Sequence, residues 1–316
     1  VPVAATPKSP LESIAATRRA GFIQAVSAYG LWGLLPVYFL LLAPTGPFEI
    51  VAGRILFSLV FCAILLSATR RWTAVALIVR TPRLLFTMAL AGAFIYVNWQ
   101  VYIFAVLTDR VLAGALGYFI NPIVTVLLGV LVLRERLRPL QWVAVSISFV
   151  AVLVLAIGYG EFPWISLALA LSFGFYGLIK KRVGPRVDAV SGLALETAWL
   201  APVAILQLAL VAATTGLTIG TVSVAHTILI VGSGVITAVP LLLFAGAARR
   251  LPLISLGLIQ YLAPLIQFAF GVFVLREAMP PERWVGFGLV WVALTVLTFD
   301  MIRSGRAARR NVPLLT

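Results

Sequence analysis

The chain has 316 residues, 62% of them hydrophobic and only 11% charged, with a net charge of +14. A soluble domain carries about a quarter charged residues, so a water-soluble globular fold is excluded. One cysteine, Cys62, and one histidine, His226, leave no internal disulfide framework and no His/Cys metal site.

In chain order, the stretch before Arg18 holds three prolines and no long apolar core. It predicts a disordered cytoplasmic tail rather than a signal peptide. Ten apolar stretches follow, over residues 21–42, 48–68, 84–107, 112–133, 139–157, 163–179, 189–212, 227–247, 253–275 and 282–302. About 20 residues cross roughly 30 Å of hydrocarbon as a helix. Period-two alternation is absent, so backbone bonds must be satisfied within helices rather than in a barrel. Connections are short, the longest outer one running from Thr214 to His226, which leaves no room for a domain outside the membrane.

Span one carries Ala28-Tyr-Gly-Leu-Trp-Gly33, with Trp32, and then Pro36. Span two carries Glu49 near its start and Arg54 about two turns in. Span three holds Asn98, Trp99 and Tyr102, and the four-residue spacing puts Asn98 and Tyr102 on one face. Span four brings Tyr118 and Asn121 beside Pro122. Span six holds Tyr176, span seven Glu196 and Pro202, span eight Pro240, and span nine Gln260, Tyr261 and Pro264. Prolines inside helices free carbonyls that need a partner, so Pro36, Pro122, Pro240 and Pro264 are candidate kinks or gates.

The second five spans repeat the first five. Leu116-Gly-Tyr-Phe-Ile-Asn-Pro122 matches Leu258-Ile-Gln-Tyr-Leu-Ala-Pro264, Leu133-Arg-Glu135 matches Leu275-Arg-Glu277, and Trp142-Val143 matches Trp284-Val285, all at one constant offset in the numbering. Ala28–Gly33 matches Ser172-Phe-Gly-Phe-Tyr-Gly177 at an offset larger by two, as a loop insertion would give. An odd number of helices per copy turns the second copy upside down, the layout of inverted-repeat transporters. Lys and Arg divide 20 to 3 between alternate sides, with Arg54 inside a span. The positive-inside rule then puts both termini in the cytoplasm. The fold class expected is an all-α polytopic membrane protein of ten transmembrane helices in two inverted five-helix repeats. Its segments are a tail over 1–19, repeats over 20–160 and 161–303, and a basic tail over 304–316 that meets anionic headgroups.

The net charge is spread over short loops rather than gathered on a face, so nucleic acid is not the expected partner. The candidate chemistry lies inside the bilayer. Arg54 and Glu196 are separated by the same constant offset and occupy equivalent positions in the two copies. Glu49 is five residues from Arg54 and within reach of pairing with it. Buried charges are costly in the bilayer and mark functional interiors. Glu196 is the candidate proton-coupling carboxylate, with a structural brace at the inner gate as the alternative. Trp32, Asn98, Trp99, Tyr102, Tyr118, Asn121, Tyr176, Gln260 and Tyr261 are candidates to line an amphiphilic cavity. Glu135, Glu277, Asp109 and Asp300 are expected to serve helix ends and interfaces, and His226 a plain surface role.

Gly114-Ala-Leu-Gly-Tyr-Phe-Ile-Asn-Pro-Ile123, Leu133-Arg-Glu-Arg-Leu137, Tyr29-Gly-Leu-Trp-Gly33, Asn98-Trp99 and Leu275-Arg-Glu277 resemble the EamA/RarD branch of the drug/metabolite transporter superfamily. The resemblance spans about residues 20 to 302. It implies ten helices, two inverted EamA repeats, a bacterial inner membrane and export of small metabolites, with amino-acid exporters of the YddG type among the relatives. Ala263 stands where the first repeat has Asn121, so any role of Asn121 is not duplicated.

The function expected is a secondary transporter that exports small organic solutes, amino acids and related metabolites first, by alternating access. A multidrug or other-metabolite exporter of the same fold is the alternative. No Gly-x-x-x-x-Gly-Lys-Ser/Thr string is present, so no ATP cofactor is expected. No His-Glu-x-x-His or Gly-x-Ser-x-Gly string supports an intramembrane enzyme, and no charge ring supports a channel. The expected partners are a small-molecule substrate and the lipid bilayer, with the chain acting as a monomer.

Overall fold

A computed structural model describes residues 10–133, 137–158, 162–183, 186–248, 250–251 and 259–310. Among the described residues all regular structure is helical. The helices are α1 (Pro10–Gly33), α2 (Leu35–Leu40), α3 (Pro47–Ala68), α4 (Trp72–Val79), α5 (Pro82–Leu107), α6 (Val111–Leu133), α7 (Pro139–Gly158), α8 (Trp164–Val183), α9 (Ala189–Thr214), α10 (Val224–Ala248), α11 (Leu262–Ala269) and α12 (Pro281–Arg310). A wider π turn over Phe270–Val274 continues α11.

Among the described residues, six segments are long and apolar enough to cross a membrane: Thr17–Leu40, Pro47–Ala68, Pro82–Leu107, Ala189–Thr214, Val224–Ala247 and Pro281–Asp300. Shorter apolar helices, Val111–Thr125, Pro139–Leu155, Trp164–Lys180 and Leu262–Val274, fall at the other predicted spans. The molecule is a polytopic all-α membrane protein. Large apolar side chains such as Phe86, Leu131, Val224 and Phe273 stand on its outside, as a lipid-facing surface requires.

Local chemistry sets the helix ends. Pro47, Pro82, Pro139 and Pro281 each open a helix, where a missing N–H costs nothing. Asp188 caps α9, accepting from the Val190 and Ser191 amides at 3.1 Å each. Some boundaries differ from expectation. Helix α1 reaches back to Pro10, into the predicted tail, and α12 runs on to Arg310, into the basic one. Helix α4 is too short to span and so left no sequence signal; Trp72, Leu77 and Val79 are exposed while Ile78 packs inward. Arg134, Glu135 and residues 252–258 of the ninth predicted span lie outside the described residues.

Pro36 breaks the first span. Helix α1 stops at Gly33 and α2 restarts at Leu35. Proline cannot bond the carbonyl four residues earlier, that of Trp32. The Gln267 side-chain amide on α11 donates to that oxygen at 3.1 Å. The kink is thus held by a neighbouring helix, one of the ways a membrane satisfies such a carbonyl.

The main packed pairs are α3 with α9, α5 with α8, α1 with α10, α6 with α8, α1 with α11, α3 with α10, α5 with α9, α6 with α11 and α7 with α12. Helices α3 and α9 run antiparallel: Glu49 at the start of α3 accepts the Thr218 and Ile219 amides, just beyond the end of α9, at 2.9 Å. Glu49 therefore spends its carboxylate on a loop and does not pair with Arg54, correcting the expectation from spacing. His226 is likewise not a surface residue. It is buried, 2.8 Å from Thr45 Oγ1 and 3.1 Å from the Leu42 carbonyl, and it ties two connections together. Asp300 is buried 3.1 Å from the exposed Arg138, joining α12 to α7.

Glu277 plays a helix-end role, as expected, but reaches across to α6. Its carboxylate accepts the Leu112 amide at 3.1 Å and lies 3.8 Å from Arg283. Burial raises the Glu277 carboxyl from 4.5 to about 7. The fold thus disfavours the charged form, so this group's stabilisation is full below pH 4.5 and is lost as pH rises through about 7. Thermal unfolding in detergent should fall by roughly a few degrees across that window. Glu277→Gln should flatten it; an unchanged slope would rule Glu277 out as its source.

Candidate functional site

The two equivalent charges, Arg54 on α3 and Glu196 on α9, both sit inside the bundle, 4% and 0% exposed. Because α3 and α9 are antiparallel and each charge lies about two turns from its helix start, they lie toward opposite ends of the bundle. Their surroundings differ. Arg54 Nε donates to Thr237 Oγ1 on α10 at 2.9 Å. Its guanidinium carbon lies 4.4 Å from the Trp99 ring centre and 5.2 Å from that of Phe39. Arg54 Nη1 is buried without a hydrogen-bond partner. Glu196 is fully engaged: Lys180 Nζ on α8 lies 2.6 Å from Oε1, and the Tyr176 hydroxyl donates to Oε2 at 3.1 Å.

A column of rings joins the two charges. Phe39 meets Tyr102 with ring centres 6.2 Å apart, Tyr102 meets Tyr118 at 5.5 Å, Tyr118 meets Phe173 at 6.0 Å, and Phe173 meets Tyr176 at 6.0 Å. Such edge and tilted contacts are the preferred geometry for aromatic quadrupoles. Asn98 fixes the column sideways. It accepts from the Tyr118 hydroxyl at 3.0 Å and donates to the Leu169 carbonyl and Ser172 Oγ on α8 at 3.2 Å. The Tyr102 hydroxyl is buried and has no partner.

Seven of the sequence candidates thus converge: Arg54, Asn98, Trp99, Tyr102, Tyr118, Tyr176 and Glu196. Others stand apart. Trp32 packs its ring against Tyr29 and Phe244 between α1 and α10, its ring centre 5.2 Å from that of Tyr29, and touches the main core without joining the ring column. Gln260 and Tyr261 are half-buried at the turn before α11, with Tyr261 against the α6, α7 and α12 cluster. Asn121 has a buried Oδ1 with no partner, near Gly174. Pro122 lies within α6 and Pro264 near the start of α11. Pro240, with Leu31, Leu34, Tyr38 and Val235, lines a shallow apolar groove of about 190 Å³ between α1, α2 and α10.

Sequence reading missed Lys180, Thr237, Phe39 and Phe173. Lys180 falls just past the predicted sixth span and counts there as a loop cation, yet it is four residues from Tyr176 and so on its face. Thr237 carries no signal of its own. Among the described residues no group of three or more His, Cys, Asp or Glu could hold a metal ion. The column brings together packed rings, a phenol hydroxyl without a partner and a guanidinium with one unsatisfied nitrogen.

This is the interior of a membrane transporter, and comparison with known proteins agrees. Residues 19–157 match the EamA-like transporter family. The chain is 49% identical over 295 residues to Protein RarD of Streptomyces exfoliatus, covering 93% of each. It is 39% identical over 290 residues to an uncharacterized transporter of Vibrio cholerae, covering 92% of this chain and 95% of that one. A crystal structure of a protein 20% identical superposes with a TM-score of 0.57 over 90% of this chain and 98% of that one, which shows a shared fold. The chain belongs to the EamA-like family of the drug/metabolite transporter superfamily, among RarD-type proteins, and is a transporter rather than an enzyme.

Proposed function

We propose that this transporter works as ten membrane helices in two inverted five-helix repeats, with both termini in the cytoplasm of a bacterial inner membrane. It exports small organic solutes, amino acids and related metabolites, by rocking the repeats about the ring column. The observation that carries this reading is an exchange symmetry in the packing. Exchanging α1 with α8, α3 with α9, α5 with α10, α6 with α11 and α7 with α12 carries the main packed pairs onto one another. Thus α1 on α10 becomes α8 on α5, and α1 on α11 becomes α8 on α6.

Close approaches join the exchanged helices too, though through glycines that are not matched positions. A Cβ at Gly33 would stand 2.8 Å from Ile266, and one at Gly174 2.8 Å from Val124. Ile266 and Val124 are repeat equivalents, separated by the same offset as Pro264 and Pro122. The antiparallel α3 and α9 support inversion, and the 20-to-3 charge split supports cytoplasmic termini.

The test is uptake of labelled solutes into liposomes holding the purified protein, with and without a pH gradient. Movement of amino acids is the expected result; movement of uncharged drugs alone would move the reading to the multidrug alternative, and movement of neither would end it. Glu196→Gln is expected to remove any dependence on the gradient, since Glu196 is a fully buried carboxylate next to the ring column, where a proton could couple to the solute. Unchanged dependence would take Glu196 out of that role.

A further inference from the structure

The two equivalent charges have unequal compensation, and the difference points to a ligand. Glu196 holds a lysine and a phenol hydroxyl, and its charge is balanced within the bundle. Arg54 is equally interior but has no carboxylate within ion-pair distance among the described residues. Glu49, the acid nearest in sequence, is taken by the Thr218 and Ile219 amides. Thr237 satisfies one guanidinium donor, the faces of Trp99 and Phe39 offset part of the charge, and Nη1 is left over. A second leftover donor, the Tyr102 hydroxyl, belongs to the ring packed on Phe39. Tyr102 is 2% exposed, so water does not satisfy it from the surface.

A buried charge without a partner is destabilising and persists where a bound group completes it. Two open donors at one end of an aromatic column match a carboxylate, which accepts through two oxygens and prefers a planar guanidinium. The rings behind it match an apolar or aromatic body. The same net positive charge repels a cationic solute.

We infer that Arg54, with the Tyr102 hydroxyl, anchors the carboxylate of the transported solute, so that the site takes monocarboxylates with an aromatic or apolar body and rejects cations. An α-amino group is compatible with this anchor but not required by it. The inference rests on the column being the transport pathway, and it adds the charge class of the solute and the residue that reads it.

Purified protein in detergent would be titrated with 3-phenylpropionate, L-phenylalanine and 2-phenylethylamine, following tryptophan fluorescence; Trp99 lies 4.4 Å from the guanidinium carbon and reports on it. The two carboxylates are expected to give saturable changes and the amine none. Arg54→Gln should weaken carboxylate binding at least tenfold, and Arg54→Lys should weaken it less. Arg54→Met should raise the melting temperature of ligand-free protein, because it removes an uncompensated charge, while abolishing the binding signal. No response to either carboxylate, an equal response to the amine, or a melting temperature lowered by Arg54→Met with binding intact would each overturn the anchor. Arg54-dependent binding without solute movement in liposomes would instead reject the transport reading and leave the anchor standing. Transport of carboxylates and amines alike, unaffected by Arg54→Gln, would do the reverse.

Discussion

Replacing Lys180 with methionine should destabilise the protein by about 3–5 kcal/mol, the range for stranding a buried ion by removing its partner. Glu196 is 0% exposed, so its carboxylate keeps only the Tyr176 hydroxyl once Lys180 is gone. The reverse change is milder. The Lys180 side chain is 30% exposed, and its flexible stem lets the ammonium swing to the interface when Glu196 becomes glutamine. Glu196→Gln should therefore cost roughly 1 kcal/mol, the worth of an ordinary hydrogen bond. The double variant should recover most of the loss seen in Lys180→Met, since it removes the stranded charge. Thermal unfolding in detergent reads all three, with a drop on the order of 10 °C for Lys180→Met. Equal losses for the two single variants would mean that the pair is exposed to solvent on both sides.

Gly234→Ala should be the most disruptive single methyl added to this bundle. A Cβ there would overlap the backbone carbonyl of Phe57 on α3 and stand 2.8 Å from the Phe57 Cβ. Backbone atoms in a helix cannot step aside, so α10 and α3 would have to separate along their length. In lipid, helices are held by close packing rather than by hydrophobic exclusion, so that separation removes the attraction itself. A loss of about 1–3 kcal/mol is expected, as for other overpacked sites. Gly92 stands at the same sequence offset from Gly234 as Arg54 does from Glu196. Its Cβ would stand 3.2 Å from the Glu196 carbonyl oxygen, so Gly92→Ala should cost less. Gly177 faces nothing within 4 Å, and Gly177→Ala should be neutral or stabilising by up to about 1 kcal/mol through helix propensity. Similar melting temperatures for Gly234→Ala and Gly177→Ala would show that the α3–α10 contact is not tight.

The paired Gly-x-aromatic-Gly strings show where sequence reading succeeds and where it slips. Both copies place glycines where helices meet, yet the copies use opposite members: Gly33 and Gly174 are in close contact, whereas Gly30 and Gly177 are not. The alignment identified the region but not the register. Trp32 slips similarly. It lies beside the kink, but its ring turns to Tyr29 and Phe244 instead of toward the column. Asn98 and Tyr102 fared better because their four-residue spacing fixes a shared face whatever the neighbours are. His226 and Glu49 were misread for one reason. Their partners, Thr45 and Thr218, lie across loops in the opposite half of the chain, and a span pattern says nothing about how connections dock.

Apolar length, repeat offset and the placement of Lys and Arg are one-dimensional properties, and a bilayer is a one-dimensional solvent gradient. The residues alone therefore determined a polytopic helical protein, and marked Arg54 and Glu196 as two charges each about two turns into an apolar span. Only the tertiary structure decided that Glu196 is compensated and Arg54 is not. That distinction depends on Lys180, Tyr176, Thr237, Trp99 and Phe39, brought from other helices by packing that no local pattern encodes.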